Sequence, residues 1–111
     1  QMIKREIAEM QTYTHALRTL VYDFARDFDA DPHGIDIEEK AAICKLFSIY
    51  TTRIVSDGML EIFGGDGYFE DCPYGPVERL YRDARAMWLE EGAPNVQRIT
   101  IARGGRLNYQ F

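Results

Sequence analysis

The sequence predicts an all-α protein, an antiparallel four-helix bundle. Three observations carry that expectation. Apolar residues recur at spacings of three and four along nearly the whole chain. No stretch alternates apolar and polar residues with the period of two that a half-buried strand requires. Glycine and proline cluster at 29–35, 64–76 and 92–94, and so divide the periodic sequence into four.

The first helix is read from Ile3, Ile7, Met10, Thr14, Leu17, Val21, Phe24 and Phe28, a four-three alternation that lays one seam on one face. Only Thr14 interrupts its apolar character. Pro32 and Gly34 end it. Asp36 is placed to cap the second helix, with Glu39 closing a capping box three residues later. From Ile37 to Phe63 only Gly58 is unfavourable to helix. Ala41, Cys44, Val55 and Ile62 mark one apolar face, and Ile43, Phe47, Tyr50 and Ile54 another. A helix apolar over so much of its circumference belongs at the centre of its bundle. Gly64-Gly65-Asp66-Gly67 is expected to stop it. Pro76 suits the first turn of a third helix, in which Val77, Leu80, Tyr81, Ala84, Met87 and Trp88 follow helical spacing. Gly92 is placed to end that helix and Pro94 to begin a fourth, carried by Val96, Ile99 and Ala102 and stopped by Gly104 and Gly105.

Composition limits the function. The chain has 111 residues, enough for one compact domain or a piece of a larger chain. Gln1 in place of Met is what a fragment would show. Eighteen acids against thirteen bases give a net charge of −5. An acidic domain without a Lys/Arg block is a poor partner for nucleic acid. No apolar run approaches the ~20 residues of a membrane span. Residues 1–20 hold Lys4, Arg5, Glu6, Glu9 and Arg18 where a signal peptide would have its apolar core. Cys44 and Cys72 lack C-x-x-C spacing and read as buried or incidental thiols.

No metal site is expected. Asp27, Asp29, Asp31 and Glu38 have the spacing of acids in a calcium loop. Pro32, however, stands where that loop needs a glycine for its sharp turn, and Gly34 where it needs an apolar residue. Carboxylate-bridged metals in helical bundles use Glu-x-x-His pairs. The residues three before His15 and His33 are Thr12 and Ala30. Two other features admit chemistry, although on the residues alone a helix stop accounts for the first and a frayed, solvated Glu-Glu pair for the second. The double glycine Gly64-Gly65 leaves backbone N–H groups open to a phosphate or to another backbone. Glu91 is read as the last residue of the third helix, where the helix dipole and neighbouring Glu90 both oppose a negative charge, as a general base requires.

Taken together, Met10-Gln11, Ala41 to Phe47, Ile62 to Tyr68, Val77 to Arg85 and Glu91 to Arg103 occur in one order. On those motifs the chain resembles the C-terminal helical domain of an acyl-CoA dehydrogenase from about Ile7 to Arg103. The resemblance implies an FAD-dependent oxidoreductase that desaturates an acyl-CoA thioester at Cα–Cβ. A glutamate removes the α-proton, the flavin accepts the β-hydrogen as hydride, and an electron-transfer flavoprotein takes the electrons. It implies that Glu91 is the base and that Gly92 lies beside the thioester. It implies that Ala93, Pro94 and Asn95 touch the flavin cofactor. Glu61, Ile62, Phe63, Gly64 and Gly65 would contact the adenine-diphosphate part of an FAD held mainly by a neighbouring subunit. Arg79, Arg82, Asp83 and Arg85 would form a structural charge network.

The resemblance further implies a homo-oligomer, tetramer or dimer, in a bacterial cytoplasm or a mitochondrial matrix. The family's other two domains are not in this sequence, so the chain by itself is expected to be inactive. Two substitutions depart from the family pattern. Glu61 stands where a glutamine is common and would repel phosphates. Ala93 replaces a hydroxyl residue and removes a hydrogen bond to the flavin. They favour an alternative, a non-catalytic module of the same fold acting in assembly or in acyl or nucleotide binding.

Overall fold

The computed structural model describes residues 1–104, and helix is the only regular structure among them. Helices α1 (Met2–Ala30), α2 (Ile37–Tyr68), α3 (Val77–Ala86) and α4 (Pro94–Gly104) follow in chain order. The all-α expectation is met. Gly105, expected to help stop α4, lies outside the described residues.

Helix α2 is the hub. Helices α1, α3 and α4 each pack on it, and among the described residues their backbones do not approach one another. Each runs antiparallel to α2, while α3 and α4 follow one another along it. Val77 of α3 lies near Gly67, Trp88 meets Arg53, and Arg98 of α4 reaches Tyr50. The apolar faces seen in the sequence of α2 account for this central place. At 1.5 Å per residue its 32 residues span about 48 Å, essentially the 49 Å long dimension of the molecule.

The α1–α2 seam is close where side chains are small. A Cβ at Gly58 would come within 3.2 Å of Met10 Sδ. Tyr13 stacks on Phe47 with ring centres 6.3 Å apart. The Cys44 thiol lies 3.7 Å from the Leu20 carbonyl and donates to it. Burial, with a smaller contribution from Asp23, pushes that thiol up from its ordinary range. Cys44 is thus a packed structural thiol.

At the α1–α2 corner the structure replaces the expected capping box. Asp36 makes no side-chain cap. Its carboxylate instead pairs with Lys40 Nζ at 2.7 Å, and the same ammonium pairs with Asp27 of α1, also at 2.7 Å. Glu39, the expected partner in the box, is buried. A cation one turn into the helix competes better for Asp36 than a neutral N–H does.

Two further boundaries differ from expectation. The glycines at 64–67 do not stop α2. The helix bends at Gly64 (φ 58°, ψ −142°), resumes, and ends at Tyr68. Helix α3 ends at Ala86, well before Gly92, and 87–91 form a turn. Within that turn Leu89 N–H bonds to the Ala86 carbonyl at 3.0 Å, an i to i−3 bond in place of the α-helical i−4.

The core consists of small residues. Ala42, Cys44, Ile49 and Val77 are its buried apolar members, with Thr51 and Ser56 among them, and among the described residues no large side chain is fully buried. Helix α1 has no buried residue.

Candidate active site

The residues singled out in the sequence fall into two groups. The first is the bend of α2. Ile62 and Phe63 are half-buried, whereas Glu61, Gly64 and Gly65 are exposed. Phe63 packs on Tyr74 with ring centres 5.9 Å apart, which ties the bend to the following loop. The positive φ of Gly64 is a conformation that favours glycine. A Cβ at Gly64 or Gly65 would meet nothing within 4 Å. The bare backbone here faces open space and fits close approach by a phosphate-bearing group. The carboxylate of Glu61 is exposed one turn before it.

The second group is the break between α3 and α4. Glu91 (φ 52°) is the one non-glycine residue with positive φ among the described residues, and Gly92 follows at φ 110°. A left-handed glutamate is strained, by roughly 1–3 kcal/mol, and persists only where its surroundings hold it. Gln97, in the first turns of α4, reaches back to do so. Its Nε2 donates to the Glu91 carbonyl at 3.5 Å and the Gly92 carbonyl at 3.4 Å. Lys45 Nζ of α2 donates to the Met87 carbonyl at 3.3 Å. The Glu91 side chain is exposed, while Gly92, Ala93 and Pro94 are half-buried. Asn95 accepts a hydrogen bond from Arg98 at 2.8 Å, and Arg98 also donates to the Tyr50 hydroxyl at 3.0 Å.

Glu91 is therefore not the last residue of a helix. The helix dipole acts only within the last turn, and α3 has already ended at Ala86. What sets Glu91 apart is backbone strain. Nor does the structure bring the two groups together. Arg98 pins the start of α4 at Tyr50, and Tyr50 lies roughly 16 Å of helix from Glu61.

The expected charge network is split. Arg79 pairs with Asp83 at 3.5 Å and Arg82 with Glu78 at 2.9 Å, both exposed i,i+4 pairs of small energetic weight. Arg85 instead lies over the Trp88 ring. The Tyr81 hydroxyl is hydrogen-bonded to Asp57, which pushes the phenol up from its ordinary range. Sequence reasoning gave no role to Gln97 or Arg53. Their partners are a backbone carbonyl and a ring, and neither leaves a pattern in sequence. Among the described residues no group of three His, Cys, Asp or Glu side chains could hold a metal ion.

The described residues form an all-α domain with a glycine bend near one end of its central helix and a left-handed glutamate beside its mid-length. The match to known proteins shows its family. Residues 1–105 match the acyl-CoA dehydrogenase C-terminal domain, and the chain belongs to that family. It is 36% identical to cyclohexane-1-carbonyl-CoA dehydrogenase of Geobacter metallireducens, covering 93% of this chain and 26% of that protein. It is 39% identical to acryloyl-CoA reductase (NADH) of Anaerotignum propionicum, covering 93% of this chain and 25% of that protein. It is 34% identical to an acyl-CoA dehydrogenase of Bacillus subtilis, covering 93% and 26%. The chain thus spans about a quarter of the length of the curated relatives it matches. No solved structure gives a significant match. No helix among the described residues is long and apolar enough to cross a membrane.

Proposed function

We propose that this chain is the base-bearing domain of an FAD-dependent acyl-CoA dehydrogenase, acting on an acyl-CoA thioester at Cα–Cβ. The observation that carries the proposal is the left-handed backbone at Glu91, followed by Gly92 and braced by Gln97. Strain held in place at an exposed carboxylate is hard to explain by packing, and it is common where a group must be presented to a ligand.

Each residue then has a task. The Glu91 carboxylate takes the α-proton. Gly92, without a side chain, lets the thioester come close to the turn. Gln97 fixes the two carbonyls and with them the direction of the Glu91 side chain. Ala93, Pro94 and Asn95 line the approach to the flavin. Gly64 and Gly65 offer bare backbone to the diphosphate of FAD, with Ile62 and Phe63 holding the bend. The flavin, when bound, supplies the hydride-accepting chemistry. A thioester α-proton is only weakly acidic, so the base must also be shielded from water. In this chain Glu91 is exposed, so that shielding must come from other domains or a second subunit. The 111 residues alone are accordingly inactive, and the working enzyme is a homo-oligomer that passes electrons to an electron-transfer flavoprotein.

Glu91→Gln in the full-length protein tests the assignment. Loss of α-proton removal by at least a thousandfold, with flavin still bound, is the expected result. Turnover near the wild-type rate would sink it.

Glu61 favours a second reading, a non-catalytic module of the same fold. Its exposed carboxylate beside the bare glycines opposes a diphosphate. Absence of flavin from the purified full-length protein, with no gain on Glu61→Gln, would decide for that reading.

A further inference from the structure

The turn that carries Glu91 has one anchor the family match does not assign. Of residues 87–91, Trp88 alone is turned inward, while Met87, Leu89, Glu90 and Glu91 are exposed. Two guanidiniums lie over its ring, Arg53 of α2 at 4.9 Å from the ring centre and Arg85 of α3 at 4.4 Å. Neither arginine has a carboxylate within 4.0 Å among the described residues. Asp57, the acid one turn beyond Arg53, is hydrogen-bonded to Tyr81 instead. The indole N–H is buried and finds no acceptor among the described residues. The ring is therefore held through its π faces by cations and not through its polar edge.

The other side-chain ties on the turn are polar and long, 3.3 Å from Lys45 and 3.4 to 3.5 Å from Gln97. They grip carbonyls at its two ends. Trp88 reaches α2 through Arg53. We propose that Trp88 is a positioning residue: gripped by Arg53 and Arg85, it seats the turn 87–92 on the middle of α2 and so fixes where the Glu91 carboxylate stands. The proposal rests on Glu91 being the base, and its test has one arm independent of catalysis.

Trp88→Leu keeps apolar bulk but gives the cations no ring. Trp88→Phe keeps an aromatic face for the cations while removing the orphan N–H and the second ring. Arg53→Gln/Arg85→Gln removes both cations from exposed positions, where the fold does not depend on them. In the native full-length protein, amide hydrogen exchange is followed by mass spectrometry over 87–93. Trp88→Leu and the double variant should speed exchange there at least tenfold and leave peptides from α1 unchanged. Trp88→Phe should remain within threefold of wild type. Unchanged exchange in Trp88→Leu, or equal loosening in Trp88→Phe, overturns the anchor. The second arm follows washout of an α-deuterium from an acyl-CoA into solvent. Trp88→Leu should slow it at least tenfold with KM within about twofold, and Trp88→Phe should restore it. A loosened turn with undiminished washout overturns the positioning role. If Glu91→Gln itself leaves washout intact, the reading of Glu91 as base has failed, a result distinct from failure of the anchor.

Discussion

At the residue scale, the glycines of the two groups differ in what they permit. Gly92 sits at φ 110°, and a Cβ there would press on the Gln97 side-chain amide. Gly92→Ala should cost about 1–3 kcal/mol and lower Tm, and on the proposed function it should slow α-proton removal by displacing Gln97 from the two carbonyls. Gly65 has no positive φ and nothing within 4 Å of a Cβ. Gly65→Ala should be neutral or stabilising by up to ~1 kcal/mol, because alanine is the better helix former. On the proposed function the same methyl would stand where the FAD diphosphate approaches, so flavin affinity of the full-length protein should fall at least tenfold. Calorimetry and flavin titration on both variants separate the two roles. A Gly65→Ala protein that binds flavin normally would remove the bend from the cofactor site.

At the scale of elements, the corner between α1 and α2 gives a pH test. Hydrogen bonds from Lys40, opposed in part by burial, hold the Asp27 and Asp36 carboxyls below their ordinary value of 3.8. Carboxylates depressed in the folded state stabilise it fully above 3.8, and that stability is lost as pH falls through their folded values. Lys40 is raised by the same two partners, so its contribution holds at all pH below its ordinary 10.5. The Tm difference between wild type and Lys40→Gln should be constant from pH 5 to 8 and shrink as pH drops below 3.8. A difference independent of pH down to acid unfolding would mean that the corner is held by packing alone. This corner also shows the limits of sequence reading. The four helices and the central place of α2 were legible because apolar spacing records burial. The ion pairs that replace the capping box were not, because Lys40 and Asp27 meet only after the chain has turned. The bend at Gly64 was read as a stop for a related reason. Glycine marks freedom, and only packing of Gly67 against Val77 decides that the helix resumes. As candidates, Glu91 and Gly92 were legible through the motif. The early end of α3, the strain at Glu91 and the brace from Gln97 were not, since glutamate is not a residue type that marks positive φ and a side chain bonded to carbonyls leaves no pattern.

At the scale of the whole molecule, the chain buries less than a self-sufficient domain does. Its radius of gyration is 16.8 Å, against ~13 Å for a compact domain of about 100 residues. With α3 and α4 in line along α2, the bundle is elongated and α1 is covered on one side only. Met2, Ile3, Ile7, Val21, Tyr22 and Phe28 of α1 are exposed, as are Leu80, Met87, Leu89, Val96 and Ile99. A cleft of about 310 Å³ opens between α1, α2 and α3, lined by Leu17, Val55, Met59, Leu80 and Ala84. Thr51 also lines it, with a buried hydroxyl that has no hydrogen-bond partner among the described residues. Apolar surface in contiguous patches marks interfaces in soluble proteins, and scattered single residues do not. On α1, Ile3 and Ile7 form such a patch, one turn apart on one face. The 111-residue chain alone should therefore self-associate, and its Tm should rise with concentration as mass action requires. Ile3→Ser/Ile7→Ser should shift the distribution toward monomer in sedimentation equilibrium without lowering helicity, since neither residue is buried. A chain that sediments as a monomer at every concentration and melts at a concentration-independent temperature would show that α2 alone organises a stable fold. The exposed face of α1 would then need no partner.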